Sequence, residues 1–252
     1  MFLPGLRLLA AALLLSTALA AEPAFSSGPG RVALIELYTS EGCSSCPPAD
    51  RWLGDLRDAA GLWQRFVPVA FHVNYWDRLG WRDALARADF TQRQYAYADA
   101  WHAPSVYTPC FVRNGAEWQP RDPADAKPDA AGSLSLARQP DGAWRVDYTP
   151  PAARRAERCD VFVALLGGGI VSSIHAGENS GRELHHEFVA LDLASSALTP
   201  SADGHLGAIL PSLNSHAAGQ PAASRHAIAA WIVRHGELAP LQATGGWLDT
   251  SR

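Results

Sequence analysis

The chain has 252 residues, 48% of them hydrophobic, and its 21 basic and 25 acidic residues leave a formal net charge of −4. This length allows one large domain or two small ones. The mildly negative charge, without a basic stripe, argues against nucleic-acid binding, and no segment beyond the N-terminus is long and apolar enough to predict a membrane span.

The N-terminal residues have the layout of a secretory signal peptide. Arg7 precedes an apolar run over 8–15, and small residues stand at Ala18 and Ala20, the positions that a signal peptidase reads. We predict that residues 1–20 are removed and that the mature protein is periplasmic or secreted, with no stable insertion in the membrane. The run is shorter than the about 20 apolar residues of a transmembrane helix, but an uncleaved anchor stays the alternative.

The first part of the mature chain alternates predicted strands and helices. Apolar, partly β-branched stretches predict strands, and spaced apolar residues behind Pro47 and Pro48 predict a helix that ends at Gly61. The first two strands, joined by a helix, should be parallel, while Asn114-Gly115 predicts a hairpin between the last two. The predicted order is strand 32–38, helix 47–60, strand 66–73, aromatic loop 74–81, helix 89–100, strand 110–113 and strand 117–118.

The second part has a different character. Residues 120–132 are rich in Pro, Asp and Ala and are typical of a boundary. Beyond them, short apolar stretches and turn signals predict only strands, paired as hairpins at 134–137 with 144–148, 159–166 with 170–175, and 227–234 with 238–242, together with a strand at 187–193 and a loop over 199–224. We therefore predict a first domain over 30–125 and a β-rich region over 130–245.

The pattern Cys43-Ser44-Ser45-Cys46-Pro47, between a predicted strand and a predicted helix, indicates a redox site. A helix N-terminus carries a partial positive charge that stabilises a thiolate, the reactive form of cysteine. We expect Cys43 to be the exposed, attacking thiol and Cys46 to be the more buried, resolving one. A disulfide that closes so small a ring gives little entropic stabilisation, so a purely structural role is the weaker interpretation.

Two other interpretations of the cysteine pair stay open. One is a static disulfide, and the other is half of a metal site. A closed zinc site needs four ligands, and neither Cys110, Cys159 nor the histidines show a paired spacing for the other two. A copper site needs fewer ligands and is the main alternative from another functional class. No cofactor and no metal ligand is predicted.

The order of strand, C-x-x-C-P helix, strand, helix and Thr108-Pro109 before a hairpin resembles that of the thioredoxin-like superfamily. The resemblance implies an α/β fold class, in which a core sheet with parallel strands and an antiparallel hairpin is flanked by helices and an all-β C-terminal region packs on it. It also implies that Pro109 is a cis-proline against the cysteine pair and that Thr108 offers backbone groups to a bound substrate strand. The alternative is an ordinary trans proline at the start of an edge strand.

The resemblance is closer still to one family of exported bacterial proteins, a domain of unknown function. Four segments carry it: 36–50, with the sequence ELYTSEGCSSCPPAD, 71–81, 106–109 and 177–186. Two positions depart from the family pattern, because Asn74 stands where Asp is expected and Cys110 where Gln is expected. The helix expected after the hairpin is weak here, since Pro123 and Pro128 interrupt it. The family implies no established reaction.

Two acids lie close to the cysteine pair in the sequence. By resemblance to thioredoxins, which keep a buried acid near the second cysteine, Glu36 would help to move the proton of Cys46, with a pKa raised by burial. The alternative is an edge carboxylate that faces water or an arginine. The negative charge of Glu41 would oppose thiolate formation at Cys43.

The other two cysteines allow several interpretations. Cys110 follows Pro109 directly, and Cys159 begins a strand of the second part. A disulfide between them would tie the two parts together across a long loop. Free buried thiols, or exchange with the Cys43–Cys46 pair, are the alternatives.

Several further polar residues are candidates for a site. Histidine is a common proton carrier and metal ligand, and His72, His185 and His186 are candidates for these roles. The alternative for His72 is simple packing, because a histidine in a strand beside aromatic residues is more often packed. Glu178, Asn179 and Arg182 are expected either to bridge the two parts or to line a cleft.

The sequence as a whole predicts an extracytoplasmic thiol–disulfide oxidoreductase, with Cys43, Cys46, Thr108, Pro109 and Glu36 in its site. Its partners would be protein or small-molecule thiols and disulfides. The direction of electron flow and the oligomeric state are not predicted. The alternatives are a periplasmic copper-binding protein and a non-catalytic interaction module, because a fold does not imply a function.

Overall fold

A computed structural model describes residues 25–123, 129–215 and 220–248. The predicted signal peptide, residues 1–20, lies outside the described residues. Of the described residues, 42% are in strands and 15% are helical. The described helices are α1 (Pro47–Asp55), α2 (Ala88–Trp101) and short 3-10 helices at Leu56–Asp58, Asp77–Leu79 and Ala152–Arg154. Within these ranges, no helix is long and apolar enough to cross a membrane.

The strands of the described ranges form three sheets. In chain order they are β1 (Phe25–Ser26), β2 (Ala33–Thr39), β3 (Phe66–His72), β4 (Cys110–Arg113), β5 (Ala116–Glu117), β6 (Ser133–Arg138), β7 (Trp144–Thr149), β8 (Cys159–Gly168), β9 (Ile170–Ser173), β10 (Glu183–His186), β11 (Val189–Ala197), β12 (Thr199–Pro200), β13 (Leu206–Leu210), β14 (Arg225–Arg234) and β15 (Pro240–Leu248).

The largest sheet has eight strands in the order β15-β14-β8-β11-β3-β2-β4-β5. The parallel pairing of β2 with β3 confirms the prediction, since helix α1 connects them. β4 runs antiparallel to β2 and forms the predicted hairpin with β5. β11, from the second part of the chain, pairs in parallel with β3. Strands from both parts therefore belong to one continuous sheet.

The two faces of the large sheet are covered by different elements. α2 packs on one face, where its Arg93 lies over the rings of Phe162 and Trp231. α1 packs on the other face, where its Trp52 contacts Phe111 of β4 at a centroid distance of 5.2 Å. The five-stranded sheet β1-β6-β7-β13-β12 packs beside α1 on that same face, against β8 and β14. Because both faces are covered, β2 and β3 are buried along their full length, which accounts for their near-continuous apolar sequences.

The predicted fold class is wrong. The sequence predicts a helix-flanked α/β core with an all-β region packed on it, whereas the protein is mostly β, with large mixed and antiparallel sheets. The physical reason is that β8, β11 and β14 continue the sheet of β2 and β3 through backbone hydrogen bonds. On the face of the large sheet that carries α1, these added strands are covered by the five-stranded sheet, and not by a helix.

One predicted hairpin of the second part is also different. The sequence predicts that 159–166 pairs with 170–175, but β8 pairs with β11 and β14. β9 pairs instead with β10 in a separate two-stranded hairpin. The chain turns between β8 and β9 at Gly169, whose φ of 62° is favourable for glycine. The apolar residues of β8 are buried in the interior of the large sheet. Because the hairpin of β9 and β10 lies outside that sheet, it can contact the loop that holds the cysteine pair.

Candidate functional site

The Cys43–Cys46 pair lies between β2 and α1, where the sequence places it. The two cysteines form a disulfide, and Cys46 is the N-cap of α1. Neither cysteine has any exposed surface, although Ser44 and Ser45 between them are exposed. The expectation that Cys43 is exposed is therefore wrong for the disulfide form. Its sulfur lies 3.3 Å from Oγ of Ser45 and 3.8 Å from the carbonyl oxygen of Thr108.

Thr108 and Pro109 lie opposite the disulfide, as the resemblance implies, and the peptide bond between them is cis. The hydroxyl of Thr108 accepts a hydrogen bond from Nε1 of Trp76 at 2.8 Å, which holds this loop in place. A cleft of about 350 Å³ opens beside Ser45 and Pro109. Its walls include Pro48, Trp52, Phe111, Trp118 and Pro120, and none of its lining residues is charged. Such a cleft suits an apolar segment of a partner.

The loop between β9 and β10 lies against the cysteine loop from the other side. Nδ2 of Asn179 donates hydrogen bonds to the backbone carbonyls of Glu41, at 2.8 Å, and Cys43, at 2.9 Å. The carboxylate of Glu178 accepts a hydrogen bond from the N–H of Ser44 at 3.0 Å, and its bonds to Ser44 hold the pKa of Glu178 below its usual value. The expectation of a bridging polar loop is met at these two residues.

Five buried titratable side chains form a cluster around the base of the cysteine loop, namely Glu41, Asp50, His72, Asp83 and His186. Nδ1 of His72 bonds Oδ2 of Asp83 at 2.7 Å, and the same oxygen accepts the N–H of Glu41 at 2.9 Å. The rings of His72 and His186 meet edge to face, with centroids 5.0 Å apart. Nε2 of His186 lies 3.4 Å from Oε1 of Glu41. We call these five residues the buried polar cluster.

The charges in the buried polar cluster follow from these contacts. Burial by itself lowers the pKa of His72, but the surrounding carboxylates, foremost Asp83 and then Asp50 and Glu41, together raise it to about 9. Burial by itself raises the pKa of Asp83, yet His72 holds it below its usual value. Burial raises the pKa of Asp50, against the opposing effect of His186 and His72. His72 and Asp83 thus form an ion pair at neutral pH, and the pKa of Asp50 lies above its usual value.

The His72–Asp83 ion pair makes stability depend on pH. The pKa of His72 in the folded protein, about 9, lies above its unfolded value of about 6.5. The stabilisation is therefore complete below about pH 6.5 and is lost as the pH rises through about 9. We expect the free energy of unfolding in urea to fall over this range, and to fall less in Asp83→Asn. Asp99→Asn, on the exposed side of α2, is the control, and identical pH profiles for the parent and Asp83→Asn would contradict the ion pair.

Glu36 is held on the other side of the sheet. Its carboxylate accepts hydrogen bonds from Nε of Arg93 at 2.7 Å, from the hydroxyl of Tyr97 at 2.6 Å and from that of Tyr38 at 3.0 Å. Leu37, the next residue of β2, pairs with a β4 residue that contacts α1. Because successive side chains of a strand point to opposite faces, Glu36 faces α2 and not the helix that follows Cys46.

Cys110 and Cys159 are both buried free thiols. Burial raises the pKa of each thiol to about 11, so neither is a reactive thiolate near neutral pH. Their strands, β4 and β8, are separated by three other strands of the large sheet. At about 4.8 Å per strand spacing, the two backbones are about 19 Å apart, well beyond the about 7 Å that a disulfide spans. The strand order therefore excludes the pairing that the sequence allowed.

The remaining predicted polar residues have other partners. His185 is exposed and lies 3.2 Å from Glu183. Asn74, where the family pattern has Asp, accepts a hydrogen bond from the hydroxyl of Thr91 at 2.8 Å. Nε1 of Trp81, from the aromatic loop, donates to Oε2 of Glu41 at 2.7 Å. In the described part of the chain, no group of three or more His, Cys, Asp or Glu residues is placed to hold a metal ion.

Two cluster residues, Asp50 and Asp83, are not among the predicted site residues, although Asp50 ends the motif over 36–50. A signal for Asp50 exists, because it stands four residues after Cys46 on a helix whose neighbouring residues Ala49 and Leu53 are buried. Residues four apart share one face of a helix. Asp83 has no comparable signal, because it stands in a loop eleven residues after its partner His72 and no helical or strand periodicity relates the two.

Residues 34–224 match a family described as "Protein of unknown function (DUF1223)". The chain belongs to this family. The matched range includes the Cys43–Cys46 pair, Thr108–Pro109 and the hairpin of β9 and β10. Membership in DUF1223 confirms the predicted domain of unknown function, and it assigns no reaction. A search among curated proteins found no match to the chain.

Two solved structures resemble this member of DUF1223. Protein AGR_C_4864 from Agrobacterium tumefaciens is 21% identical with a TM-score of 0.58, and the alignment covers 88% of this chain and 97% of that one. HBP35 of Porphyromonas gingivalis is 13% identical with a TM-score of 0.62, and the alignment covers 89% of this chain and 77% of that one. At these identities, the likeness concerns the fold alone.

Proposed function

We propose that this protein is a thiol–disulfide oxidoreductase whose Cys43–Cys46 disulfide exchanges with thiols and disulfides of proteins or small molecules. The observation that carries the proposal is the position of the disulfide, directly before α1, with its Cys43 sulfur 3.8 Å from the backbone of Thr108. The uncharged cleft at Pro109 gives a partner a place to bind beside it. In these local features, though not in its fold class, the site resembles that of thioredoxin-like proteins.

The exchange has two steps in the direction that reduces the protein. A thiolate of a dithiol substrate attacks Sγ of Cys43, the S–S bond breaks, and its electron pair goes to Sγ of Cys46. The second thiol of the substrate, once deprotonated, then attacks the mixed disulfide and releases Cys43. The substrate leaves as a disulfide, and the cysteine pair keeps two electrons. The reverse sequence oxidises a substrate dithiol in the same way when the protein begins as the disulfide.

The proposed setting is outside the cytosol, where disulfides persist. Arg7, the apolar run 8–15 and the small residues Ala18 and Ala20 support export with cleavage after Ala20. Sequencing the N-terminus of the protein recovered from the periplasm or medium checks this, and a chain that keeps residues 1–20 would contradict it.

Trapping a mixed disulfide tests the proposed exchange. We expect Cys46→Ser to accumulate a covalent adduct with a disulfide-bonded cystine peptide. The Cys43 thiolate attacks the peptide disulfide and one peptide leaves as a thiol, and the new bond at Cys43 cannot be broken from within because the resolving sulfur is gone. Cys43→Ser should form no adduct at that site. The adduct is measured by mass spectrometry, and exchange of the parent is followed by equilibrium with glutathione.

Cys110→Ser is the matched control, because Cys110 is buried and its thiol has a raised pKa. This variant should exchange at the parent rate. A folded parent whose disulfide neither reduces reversibly nor exchanges would instead favour a static disulfide or a non-catalytic interaction module.

A further inference from the structure

A buried disulfide that opens needs a proton as well as electrons, and the inference drawn from this rests on the proposed function. When Cys43 is attacked, Cys46 receives the electron pair of the broken bond. Cys46 has no exposed surface, and a buried thiolate is disfavoured because it loses its hydration. A proton donor beside Cys46 would therefore lower the barrier to opening and, in reverse, a proton acceptor would activate Cys46 for closing.

Glu36, the acid that the resemblance suggests for this role, is not available for it. Arg93, Tyr97 and Tyr38 hold both oxygens of its carboxylate. The guanidinium of Arg93 forms a buried salt bridge with it at 2.7 Å. Glu36 also faces α2, across the sheet from α1.

Asp50 stands on the correct side of the sheet. Cys46 has helical backbone angles, with φ −75° and ψ −36°, and the N–H of Asp50 donates to the carbonyl of Cys46 at 3.1 Å. Residues four apart on a helix have Cβ atoms about 5–6 Å apart on the same face. Asp50 is 9% exposed, so its side chain is buried and does not extend into solvent.

The surroundings of Asp50 are polar, and several of the buried polar atoms there lack a hydrogen-bond partner. The groups that act on its carboxyl come from every element packed there: the Thr39 hydroxyl at the end of β2, His72 at the end of β3, His186 at the end of β10 and Asp83 from the loop before α2. Among the described residues, Nε2 of His72 and Nδ1 of His186 have no hydrogen-bond partner, and Nε2 of His186 faces Oε1 of Glu41 at 3.4 Å. These ring nitrogens can adjust to a change of charge on Asp50.

We propose that Asp50 gives a proton to Cys46 when the Cys43–Cys46 disulfide opens and takes it back when the disulfide closes. In opening, the electron pair of the S–S bond moves to Sγ of Cys46, and the proton of the Asp50 carboxyl neutralises it. In closing, the Asp50 carboxylate removes that proton, and the Cys46 thiolate attacks the mixed disulfide at Cys43. The electrons come from the substrate dithiol or return to the substrate disulfide. The burial that raises the pKa of Asp50 also favours the protonated acid needed for opening.

The rate of reduction by dithiothreitol between pH 5 and pH 9 tests this role. We expect Asp50→Asn to slow reduction at pH 7 by about 100-fold, the lower end of what general acid catalysis contributes, and to flatten the pH profile. Asp50→Glu should restore much of the rate. Asp55→Asn, the same change on the exposed end of α1, is the control and should match the parent.

A folded Asp50→Asn with the rate and pH profile of the parent would overturn the role of Asp50. If the parent itself does not exchange, the proposed function fails first, so the two failures are distinct. The carboxyl carbon resonance of Asp50 gives a readout that needs no variant. We expect its titration midpoint to differ between the disulfide and dithiol forms of the parent, and the same midpoint in both would also overturn the proposal.

Discussion

Glu36→Gln is expected to lower the free energy of unfolding by about 3–5 kcal/mol, the usual cost of removing one partner of a buried ion pair. The change removes the counter-charge of Arg93, whose side chain is 6% exposed and 2.7 Å from the Glu36 carboxylate. The charge of Arg93 cannot be solvated instead, because its guanidinium is stacked among aromatic rings of the core. These rings are Phe71, Tyr97, Phe162 and Trp231.

Urea unfolding of Glu36→Gln measures this effect. Glu183→Gln is the control, because Glu183 is exposed and its ion-pair partner His185 is exposed as well, so a change within about 0.5 kcal/mol is expected there. The double variant Glu36→Gln with Arg93→Met should recover much of the loss, since it leaves no charge buried without a partner. A loss below about 1 kcal/mol in the single variant would show that the pair is not the buried ion pair described.

The same variant separates Glu36 from Asp50. While it stays folded, Glu36→Gln should reduce with the rate and pH profile of the parent, because Glu36 lies across the sheet from α1. A flattened pH profile in Glu36→Gln, together with an unchanged one in Asp50→Asn, would return the proton-exchange role to Glu36.

The local elements around the cysteine pair were predictable from sequence because their signals are local. The apolar stretch before Cys43 is β2, and Pro47 and Pro48 start α1. The hairpin at Asn114-Gly115 forms between β4 and β5 for the same reason, since Asn114 and Gly115 both take positive φ.

The architecture was not predictable in the same way, because it depends on pairing between distant strands. β11 pairs with β3 although more than a hundred residues separate Val189 from its partner Ala70. A strand with apolar residues on both faces, such as β8, indicates burial but does not identify its neighbours. The resemblance to thioredoxin-like proteins describes the order of elements around the site, and extending it to the whole chain led to the wrong fold class.

The site was predictable where one motif contains it and not where several segments meet. Cys43 and Cys46 stand in one motif, whereas the buried polar cluster combines the cysteine loop, α1, the end of β3, the loop before α2 and β10. Glu36 is suggested as the buried acid only by the resemblance to thioredoxins, which keep an acid near the second cysteine. The direction of its side chain, which alternates along β2, decides against it.

Asn179→Ala is expected to speed the reduction of the disulfide by about 100-fold. Nδ2 of Asn179 satisfies the buried carbonyls of Glu41 and Cys43, and its Oδ1 accepts a hydrogen bond from Arg182 at 3.0 Å. An unsatisfied buried carbonyl costs about 1–3 kcal/mol. Losing both hydrogen bonds would lower the free energy that holds the hairpin of β9 and β10 against the cysteine loop by about 3 kcal/mol. Each 1.4 kcal/mol is a tenfold change in the fraction of molecules in which the hairpin has moved away from that loop.

The hairpin of β9 and β10 can open without breaking the large sheet, because these two strands pair only with each other among the described strands. Opening would uncover Cys43, which has no exposed surface in the closed form. Pseudo-first-order reduction by dithiothreitol gives the rate, and urea unfolding reports whether the rest of the fold is intact. Asn214→Ala, the same change on an exposed loop, should behave as the parent. If Asn179→Ala is reduced no faster than the parent, attack on Cys43 does not require the hairpin to move, and the substrate must enter along the cleft at Pro109 instead.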